Sequence, residues 1–211
     1  LVNTDRIAVI FAYGFRKLTD GTMAKAHRSQ LDLLPPPSGR VVFLGDSITC
    51  QGLWDEWFPE LTTLNRGISG DTVEGVTRRL DGAINASSVV SLLIGTNDLT
   101  GLGRSRKVED IASQVAQLSA WIIEGAPQAT LLINSVVPRT AWFAPRIQAL
   151  NGLYRSIADH VGASYVDLWP VFAGPDNALR REFTRDNLHL NGPGYRAWTD
   201  VLRPQLMSFA G

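Results

Sequence analysis

Val41-Val42-Phe43-Leu44-Gly45-Asp46-Ser47-Ile48-Thr49 runs four apolar residues into a glycine, then into Asp and Ser, which favour the first position of a helix. A short, fully apolar strand ending in a tight turn and a helix start is how a strand–helix unit of a buried parallel sheet begins. The arrangement recurs downstream. Residues 89–94, 130–136 and 164–168 are further short apolar runs, and 61–64 is a weaker one. Between them, residues 108–123 and 147–161 carry apolar side chains at helical spacing, and 47–58, 72–84 and 194–209 carry weaker helical patterns. Strands that alternate with helices pair in parallel through right-handed crossovers, which predicts an α/β sandwich with a doubly wound sheet.

Upstream of this pattern, residues 5–34 read as helical, with Gly14 and Gly21 as weak points and Pro35, Pro36 and Pro37 as a stop. No internal repeat or second boundary is visible. The expected organisation is an N-terminal helical extension, 1–39, followed by one domain, 40–211. A chain of 211 residues buries roughly 70% of its unfolded surface, enough for a core without staples. With 45% hydrophobic residues and 20 basic against 20 acidic side chains, wholesale disorder is excluded. The same balance gives no footprint for nucleic acid and no polybasic membrane patch. No run reaches the about 20 apolar residues of an integral membrane segment. The apolar run 7–15 follows Arg6 and meets Arg16 and Lys17 at once, without a small-residue cleavage site, so it is not expected to be a signal. The lone Cys50 cannot form an internal disulfide. A soluble, cytoplasmic protein is the expectation, while the start at Leu1 leaves room for an exported form whose signal has been removed.

In open parallel sheets, functional side chains gather just past the carboxyl ends of the strands. Four such places carry polar residues here. Ser47 follows the first strand, either as a nucleophile near the positive end of a helix or as a plain helix cap. No G-x-S-x-G elbow is present, which argues against the common α/β-hydrolase arrangement. Asn65-Arg66-Gly67-Ile68-Ser69-Gly70-Asp71-Thr72 could offer backbone N–H groups to an anion, or be an ordinary turn capped by Asp71. Gly95-Thr96-Asn97-Asp98 follows the most apolar strand, and Asn97 there is either an amide donor for an oxyanion or a turn former. Near the C-terminus, Asp186-Asn187-Leu188-His189 places a carboxylate three residues before an imidazole, as a serine needs for its activation. The other histidines, His27 and His160, lie in no ligand-like cluster, so no metal is expected.

Taken together, Gly-Asp-Ser at Ser47, glycine at Gly70, Gly-Thr-Asn-Asp at Asn97 and Asp186-x-x-His189 resemble the SGNH hydrolases, the GDSL-type esterase and lipase superfamily. The resemblance runs from about Val41 onward. Residues 64–72 and Leu188-His189-Leu190-Asn191-Gly192-Pro193-Gly194-Tyr195 are most similar to the catalytic subunits of brain-type platelet-activating-factor acetylhydrolase and their bacterial relatives. That subgroup often lacks an aspartate at the position of Asp98, which here follows the wider family. The resemblance implies a flavodoxin-like three-layer α/β/α sandwich with a parallel five-stranded sheet. It implies Ser47 as nucleophile, His189 as general base and acid, and Asp186 as its orienting partner. The oxyanion hole would be the backbone N–H groups of Ser47 and Gly70 with the Asn97 amide. No motif transfers to the residues before Arg40.

The expected reaction is hydrolysis of a short-chain, acetyl-type carboxylic ester through an acyl-serine, with no cofactor. The partner would be a small-molecule ester: an acetylated carbohydrate, a lipid or a metabolite. Trp54, Trp57 and Phe58 stand near Ser47 at helical spacing and are assigned to core packing rather than to a substrate pocket. Three rivals remain at this point. An acyltransferase would use the same scaffold. A non-catalytic carbohydrate- or protein-binding module would be marked by a lost triad residue, and none is lost. A nucleotide or phosphate binder would use the 67–72 loop, but lacks a P-loop lysine and leaves Ser47, Asn97 and His189 idle.

Overall fold

The computed structural model describes residues 21–34, 38–100 and 106–209. Five strands, β1 (Val41–Gly45), β2 (Thr63–Gly67), β3 (Val89–Leu93), β4 (Thr130–Asn134) and β5 (Ser164–Val166), form one sheet in the order β2-β1-β3-β4-β5. Every pair is parallel. This is the doubly wound, flavodoxin-like order, which reverses direction beside β1.

Alternation along β1 shows how the layers arise. Val42 and Leu44 face one core and Val41 and Phe43 face the other, all at most 3% exposed. The first face is covered by α4 (Val73–Thr77), α5 (Leu80–Ile84), α6 (Val108–Gly125) and α7 (Ala144–Val161). The second is covered by α2 (Ser47–Cys50), α3 (Trp54–Trp57), α8 (Trp169–Phe172) and α9 (Gly192–Leu206). Phe43 stacks on Trp54 with ring centroids 3.9 Å apart, and Trp198 meets Trp54 edge-on at 4.8 Å. Such pairs add about 0.5–1.5 kcal/mol each beyond burial. Trp54 and Phe58 are therefore core residues and Trp57 packs partly buried against them, as expected.

Several expectations need correction. The pattern over 47–58 is two helices, because the chain turns through Gln51 and Gly52 after α2. The pattern over 72–84 is also two, interrupted at Arg78 and Arg79. α9 begins two residues before Gly194, where Asn191 caps it by accepting from the Gly194 N–H at 3.1 Å, and ends in a 3-10 turn, Met207–Phe209. β2 runs two to three residues later than the apolar stretch 61–64, since its ladder includes Asn65 and Arg66. The short α8 was not foreseen. Of the expected N-terminal helix, α1 is seen over residues 21–31. Its earlier part and Pro35 to Pro37 lie outside the described residues. No helix among the described residues is long and apolar enough to cross a membrane.

Candidate active site

β1 delivers Ser47 to the sheet edge. Gly45 ends the strand where a Cβ would fall 2.2 Å from the Leu93 carbonyl oxygen, so only glycine lets β1 turn there beside β3. Asp46 then caps α2, its Oδ1 accepting from the Ile48 N–H at 2.9 Å. The cap is thus Asp46 and not Ser47. That difference frees the serine hydroxyl, which bonds to His189 Nε2 at 3.0 Å.

His189 is held by a loop without regular structure. Its Nδ1 meets Asp186 Oδ2 at 2.7 Å, and its backbone N–H and that of Leu188 donate to Asp186 Oδ1 at 2.8 and 3.1 Å. The Thr184 hydroxyl donates to the His189 carbonyl at 2.7 Å. An ionised Asp186 fixes the proton on Nδ1, so the Nε2 lone pair faces the Ser47 hydroxyl. Partial burial by itself would raise the Asp186 pKa. The hydrogen bonds from the His189 ring and backbone and from Leu188, with the histidine's charge, outweigh it and bring the value down to about 2. The expected Asp–His–Ser line is assembled across 142 positions of sequence.

The two neighbouring strand exits flank Ser47, because β2 and β3 lie on either side of β1. Past β2, Gly70 is exposed and sits at φ +80°, the left-handed region that favours glycine. Past β3, the Asn97 amide donates one N–H to the Asp71 carbonyl at 2.8 Å, tying the two exits together. The same amide carries a second N–H donor. Asn97 also opens a turn, since the Thr100 N–H donates to its carbonyl at 3.2 Å. The two readings of Asn97 are compatible.

Asp71 does not cap the next helix. Thr72 does, its hydroxyl accepting from Gly75 N–H at 3.2 Å, while the Asp71 carboxylate receives Arg28 and Arg79. Asp98 is buried, accepting from Val73 N–H at 3.1 Å and pairing with Arg106 at 2.7 Å. Burial, followed by the neighbouring Asp71 and Asp98 charges, raises the Asp46 pKa to about 7 against the Ile48 N–H and Arg139. The Thr184 hydroxyl and the Asp71 ion pairs escaped the motif reading, because neither Thr184 nor the partners of Asp71 belong to the motifs. His160 lies far along α7, where it lines an apolar groove of about 350 Å³ between α6 and α7 that contains none of the site residues. Among the described residues no three His, Cys, Asp or Glu side chains gather as metal ligands.

The profile of the GDSL-like lipase/acylhydrolase family matches residues 43–197. The platelet-activating factor acetylhydrolase IB subunit alpha1 of Pongo abelii is 30% identical over 167 residues, covering 74% of this chain and 70% of that protein. Solved structures share the fold. A GDSL-like lipase from Bacteroides thetaiotaomicron superposes with a TM-score of 0.75 at 22% identity, over 88% of this chain and 97% of the other. The acetyl xylan esterase AlAXEase superposes with a TM-score of 0.67 at 20% identity, over 79% and 98%.

Proposed function

The chain belongs to the GDSL-like lipase/acylhydrolase family and is a carboxylic ester hydrolase, and on that premise we propose that it cleaves short-chain, acetyl-type esters through an acyl-serine at Ser47. The observation that carries this reading is the hydrogen-bonded line from Ser47 Oγ through His189 to Asp186, at 3.0 and 2.7 Å.

Each step follows from the geometry. Ser47 Oγ attacks the ester carbonyl carbon as His189 Nε2 takes the hydroxyl proton. Charge moves to the carbonyl oxygen, where the backbone N–H groups of Ser47 and Gly70 and the second amide N–H of Asn97 are the donors. The tetrahedral intermediate then collapses. The C–O bond to the alcohol breaks, and the leaving oxygen takes the proton from His189. Water repeats the attack on the acyl-serine, giving its proton to His189, and collapse returns that proton to Ser47 as the acid leaves. Asp186, with its pKa near 2, stays ionised throughout and stabilises the imidazolium. The acetyl preference follows the relatives' names as acetylhydrolases. For the domain layout, we take 40–211 as the hydrolase domain and 1–39 as its extension. The family match from residue 43 and the start of β1 at Val41 support that boundary.

A serine-directed phosphonate, followed by peptide mass spectrometry, tests the assignment. One adduct is expected, on the peptide that contains Ser47. An adduct on another serine overturns it. An ester series tests the acyl length: turnover should fall beyond a few carbons, and a rise from acetyl to octanoyl would refute the acetyl preference.

A further inference from the structure

The Asp71 carboxylate has two guanidinium partners of different origin. Arg79, between α4 and α5, gives Nε to Oδ2 at 2.8 Å and sends Nη2 to the Gly45 carbonyl at 3.1 Å. Both side chains of that pair are 5% exposed, so it is part of the interior. Arg28 comes from α1, outside the residues matched by the family profile, and gives Nη2 to Oδ1 at 2.7 Å. Its side chain remains 35% exposed. α1 also reaches the nucleophile helix, where His27 Nδ1 lies 3.7 Å from Sγ of Cys50, the last residue of α2.

Asp71 joins this pairing to the chemistry. Its backbone carbonyl accepts the Asn97 amide, and its chain neighbour is Gly70. The direction of that carbonyl depends on the torsions at Asp71 and Thr72, and a side chain gripped at both oxygens restrains the Asp71 backbone. With one grip gone, Oδ1 would lose its charge-assisted donor and the carbonyl could swing. The interior pair with Arg79 would stay.

We infer that Arg28 is a positioning residue of the esterase: by pinning Asp71, it aims the Asp71 carbonyl and so holds the Asn97 amide toward the oxyanion. The segment before the family domain is then part of the catalytic apparatus. This rests on the reading of Asn97 as an oxyanion donor.

The test is a mutant cycle in the full chain with a short acyl ester, measuring kcat, KM and melting temperature. Arg28→Ala should lower kcat by about 10- to 10²-fold, the scale of a misplacement of about 1 Å, with KM changed less than about twofold. Asn97→Ala should lower kcat by roughly 10²–10³-fold. Once Asn97 is gone, adding Arg28→Ala should cost less than about a further twofold, because both changes act on one donor. Arg28→Lys should recover part of kcat, and it carries the same cycle if the alanine variant does not fold. A normal kcat in Arg28→Ala, or an equal loss with and without Asn97, overturns the inference. Near-normal turnover in Asn97→Ala sinks the oxyanion reading and Arg28 with it. Turnover retained by Ser47→Ala would instead sink the underlying assignment, and the cycle tells these failures apart.

Discussion

Asp46 and Asp186 precede, by one and three residues, the two side chains proposed to react, and their surroundings are opposite. Asp46 is fully buried at the end of β1, with one oxygen on the Ile48 N–H and Oδ2 without a hydrogen-bond partner among the described residues. Asp186 stands exposed at the rim, on a loop with no strand or helix of its own, and collects two backbone N–H groups and an imidazole. One carboxyl is raised to about 7, the other lowered to about 2. Burial raises the one, and the donors around the other outweigh its partial burial. The Ser47 turn is set by the sheet and core around it, whereas the histidine loop is held by its own hydrogen bonds and by Leu188 and Leu190 packing on the second core.

That contrast can be broken at several points. Ser47→Ala and His189→Ala should each lower kcat by at least about 10⁴-fold, and the double substitution should be little worse than either. Additive losses in steady-state kinetics would mean that the two regions do not act as one unit. Asp186→Asn should lower kcat by about 10⁴-fold, with a smaller effect on KM, because the amide holds the wrong imidazole tautomer. A kcat within tenfold of wild type would show that the loop positions His189 without its anion. Thr184→Val removes the hydroxyl that grips the His189 carbonyl. It should lower stability by about 0.5–1.5 kcal/mol in urea denaturation and reduce kcat only several-fold.

The last prediction concerns pH and Asp46. Its folded pKa is raised, so the folded protein binds the proton more tightly than the unfolded chain does. The resulting stability is complete below about 4 and is lost as pH rises to about 7. Asp46→Asn should flatten that slope in melts taken between those limits. Asp186 runs the other way: its contribution is present above about 4 and is lost as pH falls toward 2. An unchanged slope in Asp46→Asn would show that the buried carboxyl is not what titrates.

The sequence was legible where residues act locally. Apolar runs bounded by turn residues located β1, β3, β4 and β5, because the inner strands are buried on both faces and mostly apolar, and β5 at the edge still carries Tyr165 and Val166. β2 was displaced because its ladder runs on through Asn65 and Arg66, side chains that no apolar pattern would include. The breaks after α2 and α4 were missed because each helix continues the apolar spacing of the one before. Ser47, Asp186 and His189 were visible through motif and family resemblance. The cap at Asp46 was not, since Asp and Ser are equally good caps and only the nearby imidazole separates them. The ion pairing of Asp71 had no local sign: its partners are Arg28, 43 positions earlier, and Arg79, eight later.

The tie between Ser47 and His189 spans 142 positions, and His189 stands immediately before α9. α9 docks through Tyr195, whose hydroxyl donates to the Ile48 carbonyl at 2.6 Å, and through Trp198, whose indole N–H donates to Asn134 at 3.1 Å. On a ribosome, β1 and its serine emerge long before the imidazole they need. On the proposed mechanism, the nascent chain is catalytically silent until α9 has been made and seated. Regain of ester turnover during refolding should then never precede the burial of Trp198.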